Sequence, residues 1–389
     1  MKLSYFLLEV KLKVVIIGTV ASSIFGFRMP LIKELLGKGH SIFVFAIDFN
    51  LEQKKELLAL GVTPVNYQLS RSGLNPFADL RTMLTLKNTL KEIKPDIVLS
   101  YFMKPVIYGS IAAYLAGVPK RIAMLEGLGY TYTPSLNGFS FKKKVLQYVQ
   151  GCLFSISFRA TDEIIFLNPD DPKDLNKYVL LYNYSHKVNV LGGIGLDISE
   201  FSYRAVDITK PIRFVFIARL LAEKGIYQLI DAIKVVKNKH PTAELLVLGN
   251  LDIESPSSLK RKELESLIEQ KLIVYPGHVS NVTEWLSESH VFVLPSYYRE
   301  GVPRSTQEAM AIGRPILTTD VPGCRETVVE EENGYMVPAF DVNSLVEKMN
   351  WFIEHPESIE PMGKVSRRLA EEKFDVHKVN EKMLQIMGL

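Results

Sequence analysis

The sequence is poor in cysteine and nearly balanced in charge. Only two of its 389 residues are cysteines, Cys152 and Cys324, and neither belongs to a Cys-x-x-Cys pair or a Cys/His cluster. This argues against a zinc site and against a disulfide framework. The formal net charge of +3 at pH 7 gives no reason to expect nucleic acid as a partner. Hydrophobic residues make up 47% of the chain, which is enough for more than one buried core.

Long apolar runs are also missing. The run at residues 3–8 is too short to span a membrane and lacks a cleavage site of small residues. The longest later stretch, residues 14–27, is interrupted by polar residues and is followed by Arg28. We therefore expect no membrane span and no signal peptide. The protein is predicted to be cytoplasmic, or peripheral on the inner face of the cytoplasmic membrane.

Short runs rich in Val, Ile and Phe alternate with longer helical patterns. The first half has such runs at 13–19, 41–46, 96–101, 121–125 and 163–167, and the second half at 213–218, 244–249, 290–295 and 315–320. Nearly continuous apolar runs are typical of strands buried on both faces of a parallel sheet. The stretches between them are long enough for crossover helices, such as the one predicted from Met29 to Lys38 and ended by Gly39. The alternation predicts two doubly wound α/β domains.

A glycine-rich stretch separates the halves. Residues 191–197 contain three glycines within four positions, which suits a hinge or a tight strand exit. We predict an N-terminal domain at 1–195, a C-terminal domain at 208–370, and a terminal helix at 371–389 that packs back on the first domain. Ligands of such sheets bind at the carboxyl ends of the strands, so we expect the active site in a crevice lined by those ends.

The most informative stretch is residues 295–310. It follows a predicted strand, and Pro303 stands just ahead of a helix that begins near Arg304. A helix start offers unpaired backbone N–H groups and the positive end of the dipole, which together suit a diphosphate. Glu300 in the loop and Glu308 in the helix could accept hydrogen bonds from sugar hydroxyls.

Two cations follow the first predicted strand of the second half. Arg219 and Lys224 leave the sheet at its ligand-binding edge. An arginine offers a planar fork of donors and a lysine a point charge. Together they could neutralise a diphosphate leaving group as its charge develops.

These features together resemble the retaining glycosyltransferases of family 4. The resemblance rests on four features in order: Gly-x-Gly-x-Asp at 193–197, Arg219 with Lys224, Glu300 and Glu308 separated by seven residues, and Pro-Gly-x-x-Glu at 322–326. It covers the second half and, more loosely, the first. It implies the GT-B fold, in which two Rossmann-like doubly wound parallel-sheet domains face each other across a cleft.

The resemblance also implies roles for individual residues. Glu308 would hold the nucleotide ribose, Glu300 the transferred sugar, and Arg219 and Lys224 the diphosphate. Further donor contacts would come from Gly18 after the first strand, from the turn at Gly277, His278 and Val279 that holds the base, and from backbone groups of Gly301, Val302, Pro303 and Arg304. Enzymes of this fold usually work without a metal, and the chain has no Asp-x-Asp motif. We therefore expect neither a metal nor another cofactor.

The first half departs from the family pattern. Gly18 is not followed by a Gly-Gly pair, and no histidine occurs between His40 and His186. The loop where many members carry a histidine instead has Glu126. One hypothesis is that Glu126 orients or deprotonates the acceptor hydroxyl. The alternative is structural, with Glu126 accepting backbone N–H bonds in the glycine-rich turn.

The first half resembles bacterial enzymes that extend lipid-linked glycans. Its predicted acceptor contacts are Lys104, which could meet an acceptor phosphate, and Glu126, Gly127 and Tyr130. Residues 139–154, from Phe139 to Phe154, combine lysines with an apolar stripe and could rest on an anionic membrane surface. The predicted stripe consists of Val145, Leu146, Val149, Leu153 and Phe154. The alternative for the lysines is an ordinary solvated helix face.

The implied function is transfer of a sugar, an N-acetylhexosamine or hexose, from a UDP-sugar with retention of configuration. The acceptor would be a saccharide, expected to be polyprenyl-diphosphate-linked, in the synthesis of a cell-surface polysaccharide such as capsule or lipopolysaccharide. An alternative is a UDP-sugar 2-epimerase, which shares the two-domain plan and consumes nucleotide sugar without an acceptor. A third possibility is a binding protein with two α/β lobes, but such proteins usually carry a signal peptide.

Overall fold

The computed structural model describes residues 11–70, 75–253 and 255–389, so the apolar run predicted at residues 3–8 lies outside the described residues. The chain divides into two compact units. The first comprises residues up to 126 together with 145–191 and 380–389, and the second comprises 127–144 and 192–379. Within the described parts, no helix is long and apolar enough to cross a membrane.

The first unit contains a seven-stranded sheet. Its strands are β1 (Lys13–Ile17), β2 (Ser41–Ala46), β3 (Val62–Asn66), β4 (Ile97–Tyr101), β5 (Lys120–Leu125), β6 (Glu163–Phe166) and β7 (Val188–Val190). They run parallel in the order β3-β2-β1-β4-β5-β6-β7. The last four residues of β1 are fully buried, as expected for a strand covered on both faces.

Helices connect these strands. They are Ala21–Ser23, Met29–Gly37, Leu51–Ala59, Pro76–Ile93, Ser110–Ala116, Phe141–Arg159 and Asp170–Val179, with π-helical turns at Ile24–Arg28 and Pro105–Gly109 and a 3₁₀ segment at Leu181–Lys187. Local signals fix several ends. Asn50 forms a capping box with Gln53, and Gly39, with φ +83°, follows the end of the second helix, as predicted.

The second unit contains a six-stranded sheet. Its strands are β8 (Arg213–Ile217), β9 (Glu244–Leu248), β10 (Val274–Gly277), β11 (Val291–Leu294), β12 (Ile316–Thr319) and β13 (Gly334–Val337), all parallel in the order β10-β9-β8-β11-β12-β13. Its α-helices are Gly129–Tyr132, Ile226–Lys239, Arg261–Glu269, Val282–Ser287, Arg304–Ile312, Val342–Glu354, Ile359–Lys373 and the start of Val376–Met387, with 3₁₀ turns at Ala222–Lys224, Arg325–Thr327 and Pro356–Ser358.

Each sheet has a topological switch point. It lies between two adjacent strands whose following connections lead toward opposite edges of the sheet. In the first sheet it lies between β1 and β4, and in the second between β8 and β11. Loops that leave the carboxyl ends of two such strands diverge to opposite sides of the sheet and leave a crevice between them. The loop with Arg219 and Lys224 follows β8, and the loop with Glu300 follows β11, so the second switch point carries the predicted donor residues.

All nine predicted strands are present, but four further strands were not predicted. These are β3, β7, β10 and β13. The strands β3, β7 and β10 lie at sheet edges and are only partly buried, so their sequences lack a continuous apolar run.

The start predicted for the terminal helix, residue 371, is wrong. Residues up to Lys373 belong to the preceding helix, and the last helix spans Val376–Met387. Between them, the Leu196 N–H donates to the Phe374 carbonyl oxygen at 2.8 Å, and the Val376 N–H donates to the Leu196 carbonyl oxygen at 3.0 Å. These bonds to Leu196 replace intrahelical bonds and interrupt the helix at this point.

Candidate functional site

The two loops at the switch point of the second sheet lie against each other. The backbone at Gly225, directly after Lys224, has φ +80°, and a Cβ atom there would come within 2.0 Å of the Pro295 carbonyl oxygen. Only glycine permits both this conformation and this close approach. The contact therefore holds Lys224 beside the end of β11, where the Glu300 loop begins.

Lys224 and Glu300 form an ion pair. Glu300 Oε1 contacts the Lys224 ammonium and also accepts a hydrogen bond from Ser296 Oγ at 3.2 Å. The side chains of Lys224 and Glu300 are only 15% and 11% exposed. Lys224 Nζ lies 5.3 Å from the centre of the Tyr298 ring, and burial raises the pKa of that phenol to about 12. The charges thus face each other in surroundings where water screens them weakly.

Two glycines hold the Glu300 loop between them. A Cβ atom at Gly127 would lie 2.4 Å from the Arg299 carbonyl oxygen and 2.6 Å from the Gly301 nitrogen. A Cβ atom at Gly323, on the other side, would lie 2.5 Å from the Gly301 carbonyl oxygen. Any larger residue at either position would displace the backbone that carries Glu300.

The segment that carries Gly127 and Tyr130 is hydrogen-bonded to this same loop. The Gly129 N–H donates to the Arg299 carbonyl oxygen at 3.1 Å, and the Arg299 N–H donates to Thr133 Oγ1 at 3.0 Å. The segment follows β5 of the first sheet along the chain, yet it belongs to the second unit. A loop predicted to serve the acceptor therefore helps to shape the loop predicted to hold the donor sugar.

Glu308 lies on the helix Arg304–Ile312. Arg304 Nε donates to Glu308 Oε1 at 3.0 Å, and the same guanidinium donates to the Gly195 carbonyl oxygen. Burial raises the pKa of Glu308, and the nearby Arg304 only partly opposes this. Pro303 precedes the helix, as predicted, and the first N–H groups of an α-helix have no intrahelical acceptor. An anionic ligand could accept hydrogen bonds from them.

Arg219 and the predicted base turn lie at the carboxyl ends of β8 and β10, the two strands that flank β9. The side chain of Arg219 is 49% exposed and donates to Asp252 Oδ2 at 3.1 Å. The turn at residues 277–279 follows β10, and its Gly277 carbonyl oxygen accepts from the Gly249 N–H at 2.9 Å. The histidine of the turn is exposed. A guanidinium this accessible can turn to a phosphate without breaking a buried contact.

Glu126 belongs to the first unit, where it forms a buried ion pair with Arg28. Their side chains are 9% and 4% exposed. Burial lowers the pKa of Arg28 to about 10, so the guanidinium stays charged near neutral pH. Its central carbon lies 4.3 Å from the centre of the Tyr101 ring, whose hydroxyl is 2.7 Å from Ser23 Oγ. The partner of Glu126 is thus a guanidinium, whereas the structural hypothesis expected backbone N–H groups.

Gly18 and Lys104 also lie in the first unit. A Cβ atom at Gly18 would come within 2.2 Å of the Tyr101 hydroxyl, and the Tyr67 hydroxyl donates to the Gly18 carbonyl oxygen at 2.6 Å. Lys104 Nζ donates to Asp79 Oδ1 at 2.9 Å, and the two side chains are 18% and 6% exposed. An acceptor phosphate at Lys104 would have to compete with this carboxylate.

The structure therefore sorts the predicted site residues into groups. One group in the second unit surrounds the Glu300 loop and consists of Gly127, Lys224, Glu300, Gly301 and Val302. A second group lies at the following helix and consists of Pro303, Arg304 and Glu308. Arg219 and the turn at 277–279 follow strands of the same sheet, whereas Gly18, Lys104 and Glu126 belong to the first unit.

The helix Phe141–Arg159 corrects the predicted apolar stripe. Phe154 is fully buried, so it cannot face a membrane surface. Side chains at helical spacing, separated by one or two turns, instead form an exposed apolar stripe of Phe141, Val145, Tyr148, Val149 and Ile156. The prediction failed at Phe154 because the helix has two apolar faces, and composition alone does not say which one packs inward.

Three contributors to these groups were not predicted as site residues. They are Arg28, Asp252 and Gly323, which contact Glu126, Arg219 and the Glu300 loop, and Gly323 was noted only as part of the motif at 322–326. An arginine that closes a long apolar stretch is a signal that could have identified Arg28. Asp252 and Gly323 follow β9 and β12, so their closeness to the site comes only from the strand order.

The chemistry of the second switch point suits a ligand with a diphosphate and several hydroxyl groups. Two cations and a helix start can bind the phosphates, and two carboxylates can accept from hydroxyls. The model of the family Glycosyl transferases group 1 matches residues 197–369, and that of Glycosyl transferase 4-like matches residues 13–168.

Named relatives agree with these matches. The N,N'-diacetylbacillosaminyl-diphospho-undecaprenol alpha-1,3-N-acetylgalactosaminyltransferase of Campylobacter jejuni is 30% identical over 345 residues, which cover 86% of this chain and 87% of the relative. The UDP-Gal:alpha-D-GlcNAc-diphosphoundecaprenol alpha-1,3-galactosyltransferase of Escherichia coli is 28% identical over 280 residues, which cover 69% of each chain.

A solved structure shows the same fold. The crystal structure of Anabaena Alr3699/HepE in complex with UDP and glucose superposes with a TM-score of 0.73 at 15% identity, covering 97% of this chain and 99% of that one. The two parallel sheets, the two family models and the Campylobacter relative lead to one assignment. The chain is a glycosyltransferase of family 4 with the GT-B fold.

Proposed function

We propose that the protein transfers an N-acetylhexosamine or hexose from a UDP-sugar to a polyprenyl-diphosphate-linked glycan, with retention of configuration. The observation that carries the proposal is the Lys224–Glu300 pair at the second switch point. It sets a cation for the diphosphate beside a carboxylate for the sugar. Such a pair would serve a ligand in which phosphate and sugar are joined directly.

The proposed reaction breaks the bond between C1 of the sugar and the phosphate oxygen. A bond from C1 to the acceptor oxygen forms, and the proton of the acceptor hydroxyl passes to an oxygen of the departing UDP or, if Glu126 acts as the base, to that carboxylate. Lys224 and Arg219 would stabilise the negative charge that gathers on the departing UDP, because both are cationic and lie at the end of the same strand. Glu300 would hold the sugar hydroxyls, and Glu308 the hydroxyls of the ribose.

The names of the relatives support the donor and the acceptor. The Escherichia coli relative is named for UDP-Gal as donor, and both relatives are named for substrates on diphosphoundecaprenol. Both are transferases, which favours transfer over the alternative of a UDP-sugar 2-epimerase. Lys104 and Tyr130 are proposed to contact the acceptor, as are Glu126 and Gly127. No metal is required in this proposal, because protein cations neutralise the diphosphate.

The direct test is release of nucleoside diphosphate from a panel of nucleotide sugars, with and without an undecaprenyl-diphosphate-linked sugar. We expect release from a UDP-sugar only with the acceptor, undiminished by EDTA, and a product whose anomeric proton coupling shows retention. Release or isomerisation without an acceptor would refute transfer. Glu126→Gln should lower the rate if Glu126 acts on the acceptor hydroxyl, and full activity would exclude that role.

We also propose that the exposed stripe of the helix Phe141–Arg159 rests on an anionic membrane surface. Phe141 is 83% exposed and Tyr148 is 64% exposed, which is unusual for large apolar side chains. Lys142 and Lys144 are exposed at the start of the same helix and would attract acidic headgroups. Apolar contact and charge attraction together can hold a helix in the plane of the interface.

Vesicle sedimentation tests this membrane proposal. The protein should sediment with vesicles that contain phosphatidylglycerol and much less with phosphatidylcholine alone. Lys142→Glu/Lys144→Glu and Phe141→Ser/Tyr148→Ser should each reduce binding, whereas Lys262→Glu, an exposed lysine of the helix Arg261–Glu269, should not. Equal binding by all variants would refute the assignment to this helix.

A further inference from the structure

The second unit contains a pocket of about 410 Å³ whose lining includes only one of the proposed donor and acceptor residues, Tyr130. Its lining combines side chains from the segment after β5 with side chains next to both loops of the switch point. We call it the Glu223 pocket and define it by Tyr130, Lys143, Glu223, Gln228, Tyr297 and Phe340. Glu223 precedes Lys224, and Tyr297 lies three residues before Glu300, so the pocket adjoins the Lys224–Glu300 pair along both loops.

Aromatic rings form one part of this lining. The rings of Tyr297 and Phe340 are 4.2 Å apart between centroids and inclined by 38°. Tyr130 is 59% exposed, and Lys143 Nζ lies 4.1 Å from the centre of its ring. Burial raises the pKa of Tyr297 to about 12, so this phenol stays neutral and can donate a hydrogen bond.

Two acceptors in the lining can take a further donor. Glu223 is 9% exposed, and its carboxylate interacts electrostatically with Lys143 but accepts no hydrogen bond from a described residue. Gln228 Oε1 is also buried without a hydrogen-bond partner among the described residues. Buried polar atoms without partners are rare in native proteins, so Gln228 Oε1 calls for a ligand or water that supplies the donor.

The missing donors and the aromatic rings fit one chemistry. A sugar ring has hydroxyl donors along its edge and C–H groups on its faces, so it can satisfy carboxylate and amide oxygens while its face covers an aromatic ring. The Glu223 carboxylate disfavours a phosphate, and Lys143 disfavours a cation. A neutral saccharide is repelled neither by the Glu223 carboxylate nor by the Lys143 ammonium.

We infer that the Glu223 pocket binds a neutral saccharide unit of the acceptor, beside the unit that receives the new bond. This inference rests on the proposed function, because it assumes that the acceptor carries a glycan. Glu223, Gln228 and the Tyr297–Phe340 pair are then specificity residues for the acceptor. They do not touch the donor.

Binding can be measured without catalysis. Saturation-transfer-difference NMR on the full chain, with methyl α-glycosides of glucose, galactose and their 2-acetamido forms as probes, should show transfer from the protein to at least one sugar. Glu223→Gln and Gln228→Leu should each reduce the signal several-fold. The control Glu265→Gln, at an exposed carboxylate of the same unit, should keep it. Equal signals in all variants would overturn the inference, and so would no signal with any probe.

Kinetics then distinguish the acceptor from a free saccharide. Glu223→Gln should raise the KM for the lipid-linked acceptor about tenfold, the effect of losing about 1.4 kcal/mol of binding, while the KM for the UDP-sugar changes less than about twofold. An unchanged acceptor KM with lost NMR binding would show a saccharide site unrelated to the acceptor and would overturn the inference. A wild type without acceptor-dependent transfer would refute the proposed function separately, since the NMR result does not depend on turnover.

Discussion

The two switch points share a topology but differ in the exposure of their charges. In the first unit, Arg28 and Glu126 are 4% and 9% exposed, and the guanidinium is covered by the Tyr101 ring. In the second unit, Lys224 is 15% exposed and Arg219 is 49% exposed. Strand order thus provides a crevice in each sheet, but the loop residues decide whether its charges are enclosed or accessible.

A π-helical turn explains how the first pair becomes enclosed. Ile24–Arg28 follows β1, and the wider turn ends at Arg28, which is buried. In the second unit, the loop after β8 contains a short 3₁₀ turn, Ala222–Lys224, and the side chain of Lys224 at its end is 15% exposed. Apolar sequence around a charge favours a structural pair, and polar sequence favours a charge that can exchange partners. The comparison predicts that loss of Arg28 affects mainly stability and that loss of Lys224 affects mainly activity.

The largest effect is expected at the first pair. Arg28→Met leaves the Glu126 carboxylate buried without its counter-charge, which should lower the free energy of unfolding by about 3–5 kcal/mol. Scanning calorimetry on the full chain measures this loss. The double variant Arg28→Met/Glu126→Gln removes both charges and should recover most of the stability. If the single and double variants were equally unstable, the ion pair would not be the cause.

The second pair should respond in the opposite way. Lys224→Ala should lower kcat/KM for the UDP-sugar about 10²- to 10³-fold, because a cation at the leaving diphosphate is lost. Its melting temperature should fall less than that of Arg28→Met, since Glu300 is slightly more exposed than Glu126 and keeps the hydrogen bond from Ser296 Oγ. Lys234→Ala is the matched control, an exposed lysine paired with Asp231 at 3.2 Å in the same unit. A loss of stability as large as that of Arg28→Met would break the comparison.

Much of this architecture follows from local sequence. The central strands were predicted from apolar runs because burial on both faces leaves no room for polar residues, as in β1 and β8. Edge strands escaped prediction because they are partly exposed, as at Val274–Gly277. Lys224 and Glu300 were found because each follows a central strand and matches a family motif.

The remaining contacts depend on distant parts of the chain. Arg28 and Glu126 are nearly a hundred residues apart, so their pairing follows only from the order of β1, β4 and β5. Gly127 was predicted as an acceptor contact. It lies close to Gly301 because residues 127–144 pack within the second unit. Local pattern does not contain this information, because the same glycine-rich turn could pack against many partners.

A smaller effect is expected at Gly127. Gly127→Ala should lower kcat about tenfold, because the new Cβ would press on the backbone next to Glu300 and misplace its carboxylate. Gly138→Ala is a matched control in the same segment. Its φ of +79° imposes similar backbone strain, but a Cβ there would meet no atom within 4 Å. Equal losses in both variants would mean that strain alone, and not pressure on the Glu300 loop, is responsible.

The smallest effect concerns Glu308 and depends on pH. Burial raises the pKa of Glu308 above its ordinary value of 4.5, so the folded protein favours the protonated carboxyl. This contribution to stability is complete below the unfolded pKa and is lost as pH rises through the higher folded pKa. Glu308→Gln does not titrate at this position, so its melting temperature relative to wild type should increase as pH rises above the ordinary pKa of 4.5. The shift in melting temperature should be modest, because Arg304 partly offsets the effect of burial. The variant should also bind UDP more weakly, since an amide accepts hydrogen bonds from the ribose less strongly than a carboxylate. A difference in melting temperature that did not change with pH would mean that burial does not disfavour the ionised form of Glu308. Glu308 would then be as accessible to solvent as Arg219.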